Sequence, residues 1–399
     1  MENSEIFRNH QAQTFPFPSS IEIVSSKENY LFDKHGNKYL DFVAGVSVNT
    51  LGHCNKIISK SVKKQIDKFS HVMVYGEFVQ EPQTKLAKLL SDSLPNSLSC
   101  SYFVNSGTES IEGAIKLAKR YTGKSKIISF KNSYHGSTAG SLSVMGYEHQ
   151  KSNYRPLIPN CISIDFNSLE MLTEIDSDTA AVIIEPYQAA SGFTKANKEF
   201  LKVLKNRCLE TNSLLIFDEI QSCYGRTGKV FAFEHTNIIP DILCIAKGMG
   251  SGYPIGAFIS SNEIMNVFTH NPTLGHITTF GGNPISCVAS YETLNYVLNN
   301  NLQKLSIEKE SLFKNCLKHK LIKEIRGKGL MLAIEFDNTK LAKYIVENSL
   351  KKGLILFYFL LTKTAVRITP PLTITNNEIR KGSKIIINLL NNYNNKLES

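Results

Sequence analysis

The chain has 399 residues, 42% hydrophobic and 20% charged, which excludes a disordered chain and allows a large core without disulfides or structural metals. Its net charge of +10 comes from 37 Lys and eight Arg against 35 acidic residues, with no run of five like charges. A dispersed Lys excess with few Arg reads as composition bias and speaks against a nucleic-acid surface.

The first residues, MENSEIFRNHQAQTFPFP, hold no apolar stretch of signal-peptide type. The eight Cys form no CxxC pair, and several lie in apolar runs, so they read as buried thiols of a reducing compartment. Both features point to a soluble, cytoplasmic protein. Residues 30–43 read as a hairpin around the turn-rich DKHGN. From about 100 to 260, apolar runs (101–105, 126–130, 180–186, 213–220, 242–248 and 255–261) alternate with helical patterns such as 110–121 and 199–211. Continuously apolar strands between helices predict a mostly parallel sheet covered on both faces. Beyond about 290, long helices with a few strands predict a smaller α+β lobe. The longest apolar run, 354–361, is far short of the ~20 residues that span a bilayer and reads as one buried strand. The expected fold class is therefore α/β, with a large domain at 50–285 and a small domain made of 1–49 and 286–399.

Several motifs fail on inspection. TGKS at 122–125 would need Gly at position 118 to close a phosphate-binding P-loop, and Ala118 stands there. GRTGK at 225–229 has Cys223 at the first-Gly position. GMGSGY at 248–253 puts Tyr253 where a dinucleotide fingerprint needs Gly or Ala. GSTAG at 136–140 puts Thr138 at the nucleophile position of an elbow. No metal-ligand spacing occurs, so no metal is expected.

Four polar sites remain, each at a strand end or inside an apolar segment. Asn105-Ser106-Gly107-Thr108-Glu109 follows one strand and opens a helix. Small residues at a helix N-terminus make an anion cradle, and the same residues also suit a plain N-cap. Asp218 closes a buried strand; it either caps the next turn or holds a positive charge such as a protonated ring nitrogen. Lys247 follows another apolar strand, where burial would lower its pKa and create a nucleophilic amine; the alternative is a Lys snorkelling from the strand end. Arg367, in an apolar segment, requires an anion, supplied by a ligand or by a structural carboxylate. Together these sites match what pyridoxal 5′-phosphate needs to act on an amino acid.

The segments YLFDKHGNKYLDFVAGVSVNTLGH (30–53), FVNSGTESIEGAIKLAKRYTG (103–123), SYHGST (133–138), IIEPYQAASGF (183–193), LLIFDEIQSCYGRTGKVFAFEH (214–235), PDILCIAKGMGSGYPIGA (240–257), TTFGGNP (278–284), IRGKGLMLAIEF (325–336) and VRITPPL (366–372) occur in this order. They resemble the class III aminotransferases, fold type I pyridoxal-phosphate enzymes that include acetylornithine and ornithine aminotransferases. By that resemblance Lys247 matches the lysine that binds the cofactor covalently and later carries the substrate proton. Asp218 matches the carboxylate that keeps the pyridine nitrogen protonated, and Gln221 the partner of the ring hydroxyl. Ile220 and Tyr134 match the residues on the two ring faces. Gly107 and Thr108, with Ser106, match the phosphate cradle, and His135 and Glu185 fall in the cofactor's surroundings. Thr279 matches a phosphate ligand supplied by the other subunit of a homodimer, and Arg367 the grip on the substrate α-carboxylate. The implied reaction moves an amino group from an amino acid, perhaps an ω-amino acid, to a 2-oxo acid such as 2-oxoglutarate, in arginine- or lysine-type biosynthesis. The alternative reading is amine or diamino acid:pyruvate transfer, or decarboxylation or aminomutation on the same fold.

Two departures stand out. Acetylornithine, ornithine and 4-aminobutyrate aminotransferases read His-Gly-Arg where this chain has His135-Gly136-Ser137. They also read Glu-Pro-x-Gln-Gly-Glu where this chain has Glu185-Pro186-Tyr187-Gln188-Ala189-Ala190. Both departures fall on substrate recognition and leave the cofactor residues intact.

Overall fold

The computed structural model describes residues 2–74 and 76–398. At its centre lies a seven-stranded sheet. In spatial order the strands are Cys100–Val104, Gly256–Ser260, Ile242–Ile245, Leu214–Asp218, Thr179–Ile184, Lys126–Phe130 and Cys161–Ile164. Gly256–Ser260 runs antiparallel to both its neighbours, and every other adjacent pair is parallel.

The apolar runs are continuous because both faces of this sheet are covered, and the side-chain period of two sorts them. Ile127, Ala181, Ile183, Ile216 and Ile242 pack with Ile111, Ile115 and Ala118 of helix Gly107–Thr122. Ile128, Val182, Ile184, Leu215 and Leu243 pack on the other face with Leu86 and Leu90 of Glu81–Asp92 and with Phe200 and Leu204 of Lys198–Glu210. Helix Gly107–Thr122 sits close to the sheet. Ser110 Oγ donates to Ala257 O (2.6 Å), and a Cβ on Gly113 would lie 2.2 Å from Phe258 Cε1. Gly113 is thus needed for close approach.

Two four-stranded sheets flank this layer. The 30–43 hairpin forms as expected, Tyr30–Asp33 against Lys38–Asp41. The Asp33 carboxylate accepts from His35 N (2.9 Å), Asn37 N (2.8 Å) and Tyr39 Oη (2.9 Å) and so holds the turn. Glu324–Lys328, Met331–Glu335, Ala365–Ile368 and Phe357–Tyr358 make a four-stranded antiparallel sheet. Helices Leu302–Cys316, Thr339–Lys351 and Asn376–Glu398 share one core with both small sheets, through Phe313, Ile345, Ile386, Leu40 and Leu332.

Two expectations need correction. The run 354–361 is not one strand. Leu354–Ile355 pairs with Lys38–Asp41, whereas Phe357–Tyr358 pairs with Ala365–Ile368, so the chain steps from one sheet to the other, and Leu360 ends 46% exposed. Uninterrupted hydrophobicity cannot reveal which partner supplies the backbone hydrogen bonds. The thiols also differ: Cys208, Cys223, Cys244 and Cys287 are buried, Cys100, Cys161 and Cys316 are half-buried, and Cys54 is exposed. Among the described residues no helix is long and apolar enough to cross a membrane.

Candidate active site

The carboxyl ends of the parallel strands converge on a cavity of about 480 Å³, a size suited to a small organic ligand. All the site residues expected from the sequence line it except Ser106 and Thr279.

One end of the cavity is the N-terminus of helix Gly107–Thr122. Ser106 is its N-cap: extended backbone (φ −152°) lets Ser106 Oγ accept from Glu109 N at 3.2 Å. Gly107 is packed so tightly that a Cβ would lie 2.9 Å from the Ile220 side chain. Thr108 Oγ1 lies 2.7 Å from Thr138 Oγ1 and 2.6 Å from Ser141 Oγ. The Glu112 carboxylate organises that hydroxyl cluster, accepting from Thr138 Oγ1 (2.5 Å), Gly140 N (2.9 Å) and Ser141 N (3.1 Å). A sixteen-residue helix that opens on the cavity, with hydroxyls beside its first turn, favours a bound anion. The part played by Glu112, Thr138 and Ser141 was not read from the sequence, because it joins segments some thirty residues apart.

The middle of the cavity is a charged layer. Asp218 Oδ2 lies 2.7 Å from His135 Nδ1, and Asp218 Oδ1 accepts from Ile220 N at 3.0 Å. His135 is buried, and its Nε2 has no hydrogen-bond partner among the described residues. Burial opposes the imidazolium, but the hydrogen bond and charge of Asp218, with Glu185 behind them, outweigh burial and hold His135 above its ordinary pKa. Burial pushes Glu185 up to about 7, although its carboxylate accepts from Tyr134 N (3.0 Å) and Ala189 N (2.8 Å). Gln221 Nε2 donates to Ser47 Oγ at 2.9 Å.

Lys247 follows strand Ile242–Ile245 with φ at +45°, a left-handed conformation that costs about 1–2 kcal/mol in a non-glycine residue. The strain is held by the next residue. Thr50 Oγ1 donates to Gly248 O at 2.8 Å, and a Cβ on Gly248 would lie 2.7 Å from Thr50 Oγ1. Val46, a β-branched residue on the cavity wall, is likewise left-handed at φ +64°. Burial lowers the Lys247 pKa against the opposing pull of Asp218 and Glu185, and the charge of Arg367 lowers it further. The amine is thereby made more available as a nucleophile at neutral pH.

Arg367 lies on strand Ala365–Ile368, 5% exposed. Its Nε donates to Tyr358 O at 3.2 Å, its Nη1 has no partner among the described residues, and the guanidinium carbon stands 4.6 Å from the Phe359 ring centre. No carboxylate pairs with it among the described residues, and burial alone lowers its pKa to about 10. Of the two readings open from the sequence, the structural carboxylate is therefore not met. A buried guanidinium without an anion is costly, so the anion must arrive with the ligand.

Glu219, beneath the site, accepts from Ala232 N and from Phe233 N (2.7 Å), and burial pushes it up to about 8 from 4.5. A carboxyl whose pKa is raised on folding gives stability that is complete below about 4.5 and lost as pH rises through about 8. Glu219→Gln is expected to flatten the fall of the thermal midpoint between pH 5 and 8; parallel slopes for the two proteins would refute this.

Thr279 lies outside the cavity, on an exposed loop whose neighbour Thr278 accepts from Asn105 Nδ2 at 3.2 Å. Around it stand exposed apolar side chains on two adjoining segments: Met73, Phe78 and Val79, the last 92% exposed, and Ile277 and Phe280. The segments are joined by Gln83 Nε2 donating to Gly282 O (2.5 Å) and by the rings of His71 and Phe280, 5.1 Å apart.

Residues 12–390 match the family described as aminotransferase class-III, and the chain belongs to that family. It is 37% identical over 386 residues to the acetylornithine aminotransferase of Methanopyrus kandleri, covering 96% of this chain and 97% of that protein. It is 36% identical over 376 residues to the LysW-aminoadipate semialdehyde/glutamate semialdehyde transaminase of Sulfolobus acidocaldarius, covering 92% and 94%. Among solved structures, the ornithine aminotransferase of Toxoplasma gondii, which carries partial occupancy of pyridoxal phosphate at its active site, superposes with a TM-score of 0.91 at 27% identity over 99% of this chain and 95% of that one. The protein is a pyridoxal-phosphate-dependent transaminase.

Proposed function

We propose that this cavity is where the cofactor sits and that the protein moves an amino group from an amino acid to a 2-oxo acid, in biosynthesis of arginine- or lysine-type amino acids. Pyridoxal phosphate, when bound, supplies the electron sink that lets a substrate Cα–H bond break. The chain's own residues fit it. Gly107, Thr108 and the helix N-terminus hold the phosphate, and Ser106 caps that helix. Asp218, fixed by His135, answers a protonated ring nitrogen. Gln221 faces the ring hydroxyl, Ile220 and Tyr134 enclose the ring, and Glu185 holds the 134 and 189 backbone in place. Lys247 is the covalent anchor, and once released it carries the proton at the substrate carbon. Arg367 seats the substrate carboxylate.

The observation that carries this reading is the unpaired Nη1 of Arg367 in the same cavity as the depressed amine of Lys247. The relatives named for acetylornithine and LysW-aminoadipate semialdehyde support the biosynthetic setting. The test is a panel of half-reactions, mixing the holoenzyme with single amino acids and following the cofactor's absorbance change. Conversion by amino acids supports the reading, and conversion by none overturns it.

In the same reading, residues 50–285 form the cofactor domain and 1–49 with 286–399 the small domain. The exposed apolar segments around Thr279 meet their counterparts in a homodimer, so that Thr279 reaches the partner's phosphate. Eight free thiols accord with a cytoplasmic setting. Dilution to monomers is expected to weaken cofactor retention, since each site loses a ligand. A fully active monomer in sedimentation would sink the shared-site arrangement.

A further inference from the structure

We infer that this site reads a single carboxylate and does not select for a second one: the distal end of the substrate meets hydroxyls and apolar wall, so neutral-tailed amino acids serve about as well as glutamate. The inference rests on the proposed function and narrows its substrate class.

The cavity has three cationic side chains, Arg367, Lys247 and His135. Lys247 is engaged by the cofactor in the resting enzyme. His135 has its charge answered by Asp218 at 2.7 Å. Arg367 alone remains, and one planar fork with one free Nη1 binds one carboxylate. The other ionisable groups lining the cavity, Asp218 and Glu185, are carboxyls and add no cation. Apart from the residues assigned above to the cofactor's phosphate and ring, the wall is Val46, Gly136, Ala189, Ala190 and Leu360, with Tyr134 Oη and Ser137 Oγ paired to each other at 3.0 Å. Two hydroxyls can hydrogen-bond a carboxylate, an amide or water, but they supply no ion pair, so a distal charge gains little over its own hydration. The segments that the proposed dimer would place beside the site, residues 70–83 and 270–283, contain neither Lys nor Arg.

The experiment compares kcat/KM of the holoenzyme for glutamate, glutamine and norvaline, which share a chain length and differ at the distal end. It also measures by calorimetry the affinity for glutarate and valerate, which bind without reacting. The expected result is that glutamine or norvaline reaches at least a tenth of the glutamate value, and that valerate binds within tenfold of glutarate. Ser137→Arg, which places a cation on that wall, should raise the glutamate-to-norvaline ratio by tenfold or more and tighten glutarate alone. Glutamate ahead of both neutral analogues by more than tenfold in the wild type would overturn the inference, even if Ser137→Arg fails to fold. Loss of all three reactions, or indifference to removal of the Arg367 charge, would instead overturn the reading on which it rests.

Discussion

Replacing Lys247 with Ala is expected to lower transamination by at least ~10⁴-fold, the upper end of what losing a proton-transferring group costs. The loss should be larger still because the same amine anchors the cofactor. Three features of the fold concentrate that role in one residue: a half-buried place on the cavity wall, a lowered pKa, and a backbone held at φ +45° by Gly248 against Thr50. The variant should still retain pyridoxal phosphate non-covalently, because Ser106, Gly107, Thr108 and the Glu112 cluster are untouched. Equilibrium dialysis against free cofactor, run beside the activity assay, separates the two effects. Activity within a hundredfold of wild type would remove Lys247 from the chemistry.

Arg367→Met is expected to cut kcat/KM for amino-acid donors by about two orders of magnitude, from about 3 kcal/mol of lost carboxylate pairing. The same change should leave the ligand-free protein as stable as wild type, or more stable. The guanidinium is 5% exposed with an unsatisfied Nη1 and no acidic partner, so its replacement by an apolar chain of similar length removes a cost. Opposite signs for function and stability are what distinguish a ligand-binding arginine from a structural one. A thermal midpoint that falls by many degrees while donors still react normally would assign Arg367 to the framework.

Residues whose chemistry is set by a strand and its end were legible in the sequence. Asp218 closes one continuously apolar run and Lys247 follows another, and a parallel sheet brings such ends to one edge. The helix opened by Ser106 and Gly107 announced itself through small residues after a strand. Features that depend on long-range closure were not legible. Glu112, Thr138 and Ser141 become a unit only when helix Gly107–Thr122 meets the 138–141 turn. Leu360 looked like part of a buried strand, and it reaches the cavity because the chain leaves one sheet for another after Ile355. The His135–Asp218 pair likewise needed the fold, since nothing in SYHGST tells that the imidazole turns towards the 218 carboxylate. Arg367 showed its need for an anion in the sequence, but the lack of a structural partner became visible only in the packed strand.

The most direct test of the account is to reduce the holoenzyme with borohydride, digest it, and locate the cofactor by peptide mass. The chain has 37 lysines, most of them on the surface, so the position is an open choice for the chemistry. The account predicts one labelled peptide, carrying pyridoxyl phosphate on Lys247 between Ala246 and Gly248. A label on any other lysine, or a reduced enzyme with no label, would contradict it.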